Sequence, residues 1–324
     1  MYSISKTQRK ILQELGENAR ITYKELAKKI SSKKTTVSYN IQNLIDDGVI
    51  WKFVPVFSIN KIGLNGYKIY LRLHRLDKAK KEEIINFLVK DQDINWVAET
   101  TGAWDLLWST LSKSPLEFAK KKDEFFEKYS EYIQEHTITI LEDALVFNRD
   151  YLTNKKIDYR KKFVFGGERK KEELDEVEKS IMKEIANDGR YQVTKLANSL
   201  NLNVKTVMSK IKDLENKEVI QGYTVFIDIQ KLGLKFFKLC VHLSDFSDKN
   251  YKDFLEYCKI NKNIIHIIKP LGGCDLELEI ETESVDSIYS FIEDIKMKYP
   301  KTVKKVDIVI IKKEHKLDFL PNNF

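Results

Sequence analysis

Residues 20–50, RITYKELAKKISSKKTTVSYNIQNLIDDGVI, and residues 190–220, RYQVTKLANSLNLNVKTVMSKIKDLENKEVI, lie 170 positions apart and align without a gap. Arg20 falls on Arg190, Leu26-Ala27 on Leu196-Ala197, and Thr36-Val37 on Thr206-Val207. Ile41 meets Ile211, Leu44 meets Leu214, and Val49-Ile50 meets Val219-Ile220. The same shift extends outward to Ile11/Ile181, Gly63-Leu64/Gly233-Leu234, Gly102/Gly272, Asp105-Leu106/Asp275-Leu276 and Tyr129/Tyr299. One offset held this far marks a tandem duplication.

Within each copy the hydrophobic period changes. Residues 5–50 read as three helices. Ser5-x-x-Gln8, Thr22-x-x-Glu25 and Asp175-x-x-Glu178 have capping-box spacing. Val37, Ile41 and Leu44, like Val207, Ile211 and Leu214, form one buried stripe on the third helix. Val49-Ile50-Trp51-Lys52-Phe53 and Val219-Ile220-Gln221-Gly222-Tyr223 read as the first strand of a wing. From about residue 66 the pattern turns to period two, with Tyr67, Ile69, Leu71 and Leu73 on one face. The order then runs strand, helix, strand, strand, helix, strand, a ferredoxin-like βαββαβ sandwich.

The expected fold class is α+β, two winged helix-turn-helix domains alternating with two sandwiches. The segments are 1–57, a first winged helix-turn-helix; 58–148, a first sandwich; and 149–173, a basic linker. Then come 174–227, a second winged helix-turn-helix; 228–318, a second sandwich; and 319–324, a tail. Residues 149–171 hold nine Lys/Arg against three Asp/Glu, with Lys155-Lys156, Arg160-Lys161-Lys162 and Arg169-Lys170-Lys171 around Phe163-Val164-Phe165-Gly166-Gly167. This reads as a solvated tether with one short extended segment, or as extra phosphate contact.

At 324 residues the chain is long enough for several domains, and its 42% hydrophobic content excludes a disordered polymer. No apolar run approaches the roughly 20 residues needed to cross a bilayer, and the N-terminus lacks a secretory pattern. Cys240, Cys258 and Cys274 form no CxxC, so neither zinc nor a disulfide framework is expected. A cytoplasmic protein without a cofactor is the expectation. The net charge of +7 permits nucleic-acid binding without requiring it. Residues 7–57 carry nine cations against five carboxylates; residues 177–227 carry eight against six.

A turn followed by a third helix suits major-groove recognition of double-stranded DNA, with the apolar stripe buried and the other face outward. The outward residues are Lys33, Lys34, Thr35, Ser38, Tyr39 and Gln42 in the first copy. In the second they are Asn203, Lys205, Thr206, Met208, Ser209 and Lys212. Amides and hydroxyls can read base edges, whereas lysines mostly hold phosphate.

Residues 174–234 closely resemble the N-terminal domain of the Lrp/AsnC (feast/famine) regulators. The first copy resembles it too, through ENARITYKELAKKI, TTVSYNIQNLIDDGVI and INKIGL. The resemblance continues into that family's ligand-sensing sandwich, whose turn stands here as Thr101-Gly102-Ala103-Trp104-Asp105-Leu106 and Leu271-Gly272-Gly273-Cys274-Asp275-Leu276. It implies transcriptional regulation, pairing of sandwich sheets, and an amino-acid effector near that turn. Thr101, Gly102, Asp105, Gly272, Gly273 and Asp275 would then line effector sites. A plainer reading gives each Gly a turn and each Asp a bond to its own backbone. Fusion of two copies implies a pseudo-dimer of sandwiches within one chain, with homo-oligomers a further partner class.

Two features depart from the family. Tyr39-Asn40 and Ser209-Lys210 stand where basic residues are usual, and Trp104 differs from Cys274 at the turn. Siroheme decarboxylases share this architecture and are the enzymatic alternative. However, His74, His136, His242, His266 and His315 do not recur at the 170 offset, and Val54-Pro55-Val56-Phe57-Ser58-Ile59 replaces a basic, His-containing segment. A ligand-binding or docking module that no longer touches DNA is the other alternative. Without a Walker loop, GxSxG or HExxH, no enzyme is expected.

Overall fold

A computed structural model of the chain describes residues 4–153, 160, 162–167, 170–321 and 324. Lys155, Lys156, Lys161 and Arg169 of the basic segment lie outside the described residues. The first copy consists of α1 (Lys6–Glu17), α2 (Tyr23–Lys29), α3 (Lys34–Asp46), β1 (Ile50–Phe57), β2 (Asn65–Leu73), α4 (Lys78–Lys90), β3 (Ile94–Gly102), β4 (Leu106–Ser112), α5 (Pro115–Tyr129) and β5 (Ile133–Phe147). A short strand, β6 (Lys162–Gly166), follows. The second copy repeats the order as α6 (Glu176–Ile185), α7 (Val193–Ser199), α8 (Val204–Asn216), β7 (Ile220–Ile227), β8 (Lys235–Leu243), α9 (Asp248–Ile260), β9 (Ile264–Leu271), β10 (Leu276–Thr282), α10 (Val285–Lys298) and β11 (Val303–Leu317). Each element of the second copy begins 170 residues after its counterpart.

These elements form two compact units, each drawing on both copies. One comprises the described parts of 1–58, 146–163 and 172–234; the other comprises those of 59–145, 164–171 and 235–324. The first unit holds the helix-turn-helices. Reciprocal capping boxes open α1, α2 and α6 at Ser5/Gln8, Thr22/Glu25 and Asp175/Glu178. The wing strand departs from the sequence expectation of a wing within one copy. β1 pairs antiparallel with β7, its counterpart, placing Phe53 opposite Val225 and Pro55 opposite Tyr223. Ala19 N–H donates to the Tyr223 carbonyl at 2.9 Å, and Gly189 N–H to the Phe53 carbonyl at 2.6 Å. Those bonds are related by the repeat offset. Arg160 of the basic segment is buried against Asp150, its Nε 2.7 Å from Oδ2, so this residue serves packing.

The second unit holds the βαββαβ sandwiches, with strand orders β5-β2-β4-β3 and β11-β8-β10-β9. Each final strand also pairs beyond its own copy: β11 with β3, and β5 with β9. Eight strands thereby close a ring, and β6 adds to it beside β5. In the first copy Tyr67, Ile69 and Leu71 pack outward against Ile84, Leu88, Phe118 and Phe125 of α4 and α5. The opposite face joins Tyr70, Trp96, Ala98 and Leu107 to Cys240, Val309 and Ile311, an apolar layer shared by both copies.

Gly102 and Gly272 stand where the exchanged strands pass, with φ of +102° and +92°. A Cβ on Gly102 would collide with the Ile308 carbonyl oxygen, and one on Gly272 with that of Ile138. The two carbonyls are again one repeat offset apart.

Charges are buried between the sheets. Lys238 Nζ lies 2.5 Å from Glu277 Oε2 and 2.6 Å from Glu279 Oε1, and Lys68 Nζ reaches Glu277 at 2.8 Å. The Tyr70 hydroxyl also donates to Glu277, and His266 Nδ1 contacts Glu279. Burial alone would push the Glu277 carboxyl up, but the Lys238 and Lys68 ammonium groups outweigh it and hold it down at about 2. Glu279 is held well below the usual range, chiefly by Lys238 against the same burial.

Two outcomes follow from this geometry. Gly102→Ala should destabilise the chain by about 1–3 kcal/mol in chemical denaturation, because the strand exchange leaves neither space nor a favourable φ. Depressed carboxyls stabilise above their unfolded pKa, so the unfolding midpoint should hold down to about pH 4.5 and fall steadily toward about 2.

Candidate nucleic-acid interface

The helix α3 buries Val37, Ile41 and Leu44 completely, which fixes its rotation. Lys33, Lys34, Thr35, Ser38, Tyr39 and Gln42 are consequently exposed together on the opposite side. Tyr39 is 68% exposed, a large aromatic surface with no fold-stabilising use. Among the described residues neither Lys33 nor Lys34 joins an ion pair, so both ammonium groups can be offered to phosphate. Gln42 Nε2 donates to Asp46 Oδ1 at 2.8 Å, so reading a base edge requires exchanging that bond.

The counterpart α8 buries Val207, Ile211 and Leu214 and exposes Lys205, Thr206, Met208, Ser209 and Lys212. Asn203, also exposed, is the N-cap of α8, its Oδ1 accepting from Lys205 N–H at 2.8 Å. Lys210, the mid-helix cation, is paired with Asp175, the N-cap of α6, and Lys217, just past the end of α8, sits 3.0 Å from Glu178. The second helix thus spends its mid-helix cation on its own domain, while among the described residues Lys205 and Lys212, like Lys33 and Lys34, join no ion pair.

Arg20 and Arg190 were legible only as a matching pair in the repeat. The Arg20 guanidinium lies 4.1 Å from the Tyr191 ring centroid and 5.2 Å from that of Tyr223, and donates to the Gly189 carbonyl at 3.2 Å. Arg190 stacks over Tyr23 at 5.1 Å and Phe53 at 4.9 Å, donating to the Ile21 carbonyl at 3.2 Å. Together with the β1–β7 pair, these contacts hold one helix-turn-helix against the other. The signal was available: an arginine repeated beside the turn in both copies.

At the proposed effector turns, Asp105 Oδ2 accepts from Leu73 N–H at 2.9 Å, and Asp275 Oδ2 from Leu243 N–H at 2.7 Å. Each carboxylate thus closes the end of its own sheet. Gly102 and Gly272 are accounted for by the strand exchange. Thr101 pairs with Ile310 across it, and Gly273 adjoins the Thr137 and Thr139 methyls. Trp104 and Cys274 pack against the shared apolar layer. The effector assignment rests on family resemblance alone. Among the described residues no group of three His, Cys, Asp or Glu side chains is placed to hold a metal, and no helix is long and apolar enough to cross a membrane.

Residues 4–50 and 174–221 both match the family model for winged helix-turn-helix DNA-binding domains. The chain is 27% identical over 119 residues to the HTH-type transcriptional regulator LrpC of Bacillus subtilis, covering 37% of this chain and 81% of LrpC. It is 36% identical over 62 residues to the HTH-type transcriptional regulator LrpA of Mycobacterium tuberculosis, covering 19% and 41% respectively. In fold it is similar to the siroheme decarboxylase NirDL, with a TM-score of 0.62 over 97% of this chain and 94% of that one, at 14% identity. That identity carries the likeness of fold and nothing chemical.

Arg20→Ala should lower stability by about 1–2 kcal/mol, from lost stacking and lost bonds to carbonyls. Arg20→Lys should recover little of it, since an ammonium cannot reproduce the planar stack. Denaturant midpoints of the two variants check both statements.

Proposed function

We propose that this chain, a tandemly duplicated member of the Lrp/AsnC family of DNA-binding transcription regulators, recognises a specific duplex sequence chiefly through α3. The observation that carries this reading is the single exposed face of α3, where two unpaired lysines begin a row of hydroxyl, phenol and amide groups. Lys33 and Lys34 hold phosphates and set the register; Thr35, Ser38, Tyr39 and Gln42 meet base edges. On α8, Lys205, Thr206, Ser209 and Lys212 make a weaker second contact.

The two copies act as the two protomers of a family dimer, a pseudo-dimer within one polypeptide. The chain therefore carries both recognition helices at a spacing set by the β1–β7 pair and the Arg20 and Arg190 stacks. An amino-acid or other small-molecule effector at the turns 101–105 and 271–275 is part of the proposal on family grounds. No step in it is catalytic. The relatives are named transcriptional regulators, and the likeness to a siroheme decarboxylase is one of fold.

The test is fluorescence anisotropy with the chain's own upstream DNA against a scrambled duplex at two salt concentrations. Tighter binding to the upstream duplex, with affinity falling steeply with salt, is the expected result. Equal, weak binding to both would replace the regulator with a docking module, and a tetrapyrrole absorbance titration would then test the enzyme. Lys33→Ala with Lys34→Ala should weaken binding to all duplexes and reduce the salt slope by about 2. Gln42→Ala should instead relax preference at one base pair by about 1–3 kcal/mol.

A further inference from the structure

The sheet ring has two seams where the copies meet, and at both the first copy supplies the carboxylate and the second the ammonium. On the β3–β11 seam Glu99 of the first copy faces Lys312 of the second at 3.2 Å, with Lys81 also 2.8 Å from Glu99. On the β5–β9 seam Glu142 of the first copy faces Lys269 of the second at 2.5 Å. In the repeat alignment Glu99 corresponds to Lys269, and Glu142 to Lys312. Two first copies paired together would set Glu against Glu at both seams. Two second copies would set Lys against Lys.

The interior is as one-sided. Lys68 and Lys238 occupy the same repeat position, but the carboxylates that receive them, Glu277 and Glu279, both belong to the second copy. Their counterparts in the first are Leu107 and Ser109. First copies paired together would bury two ammonium groups opposite no carboxylate, the costliest arrangement available to them. Second copies would gather four carboxylates around two lysines. Trp96 adds a third asymmetry: its indole N–H donates to Glu314 of the second copy at 2.7 Å, where the first copy has Ala144.

We infer that the two sandwiches have diverged into complementary partners, each closing on the other and rejecting a copy of itself. The exposed seam pairs contribute modestly and the buried lysines contribute most. This chain therefore does not share its sandwich surface with a like half from a second molecule. None of these positions lies on α3 or α8, so substitutions at them leave the recognition residues unchanged.

Three full-length variants reproduce the rejected pairings by giving one copy the other's residues. Lys269→Glu with Lys312→Glu makes both seams first-copy-like, and Glu99→Lys with Glu142→Lys makes them second-copy-like. In amide hydrogen exchange each should raise exchange along β3, β5, β9 and β11 by about three- to tenfold. All four substitutions together restore opposite charges in reversed sense and should return exchange to near wild type. Glu277→Leu with Glu279→Ser should leave the ring open or the chain unfolded, and adding Lys68→Met and Lys238→Met should recover the folded chain. Wild-type exchange in either two-site seam variant would overturn the inference. So would a four-site variant no better protected than its parents, or failure of the two Met substitutions to rescue.

Discussion

The exchange of final strands is the constraint from which the sandwich unit follows. Because β11 leaves β8 to pair also with β3, and β5 leaves β2 to pair with β9, neither sheet retains an open edge at those strands. The exchange dictates glycine at 102 and 272, where another carbonyl occupies the Cβ position. It also converts one face of each sheet from surface into interior. The shared apolar layer and the Lys68–Lys238 cluster exist only because that face is covered from the other copy.

The helix-turn-helix unit uses the same device on a smaller scale. Its wing strands pair with each other, and each copy's loop donates a backbone bond to the other copy's strand. Arg20 and Arg190 then fasten the turns. The two-fold recognition of DNA proposed for α3 and α8 needs two helices held apart by a fixed distance. A two-stranded ribbon with guanidinium stacks on both sides is a stiff way to provide one.

Much of this was legible in the residues. The offset between Arg20 and Arg190 revealed the repeat, Ser5/Gln8 and Asp175/Glu178 marked helix starts, and Val37, Ile41 and Leu44 fixed which side of α3 is outward. Local periodicity carries such information because it depends on neighbours three or four positions away. What it could not carry was partnership across the chain. Nothing around Val49–Phe53 distinguishes a strand that pairs within its own wing from one that pairs with residues 220–227. Asn203 read as a base contact because an exposed amide before a helix suits that role, and the cap its Oδ1 makes to Lys205 N–H is a second use that the pattern did not single out. Asp105 and Gly102 read either as ligand contacts or as turn residues; that Leu73 N–H bonds the one and the Ile308 carbonyl crowds the other depends on distant parts of the chain that local pattern does not show.

Closing a ring through β11, its last strand in chain order, has a consequence for synthesis. Residues 303–317 leave the ribosome after every other strand of the ring, yet they are what covers the β3 edge of the first copy. For as long as translation of the second copy takes, the first sandwich presents that edge, and Lys68 waits without its carboxylates. Chains emerging from neighbouring ribosomes on one message carry the same unpaired edge, and adjacent edges are what nascent proteins stick together by. A seam charge that sets Glu99 against Glu142 would then keep two unfinished chains apart during the interval before each can complete itself.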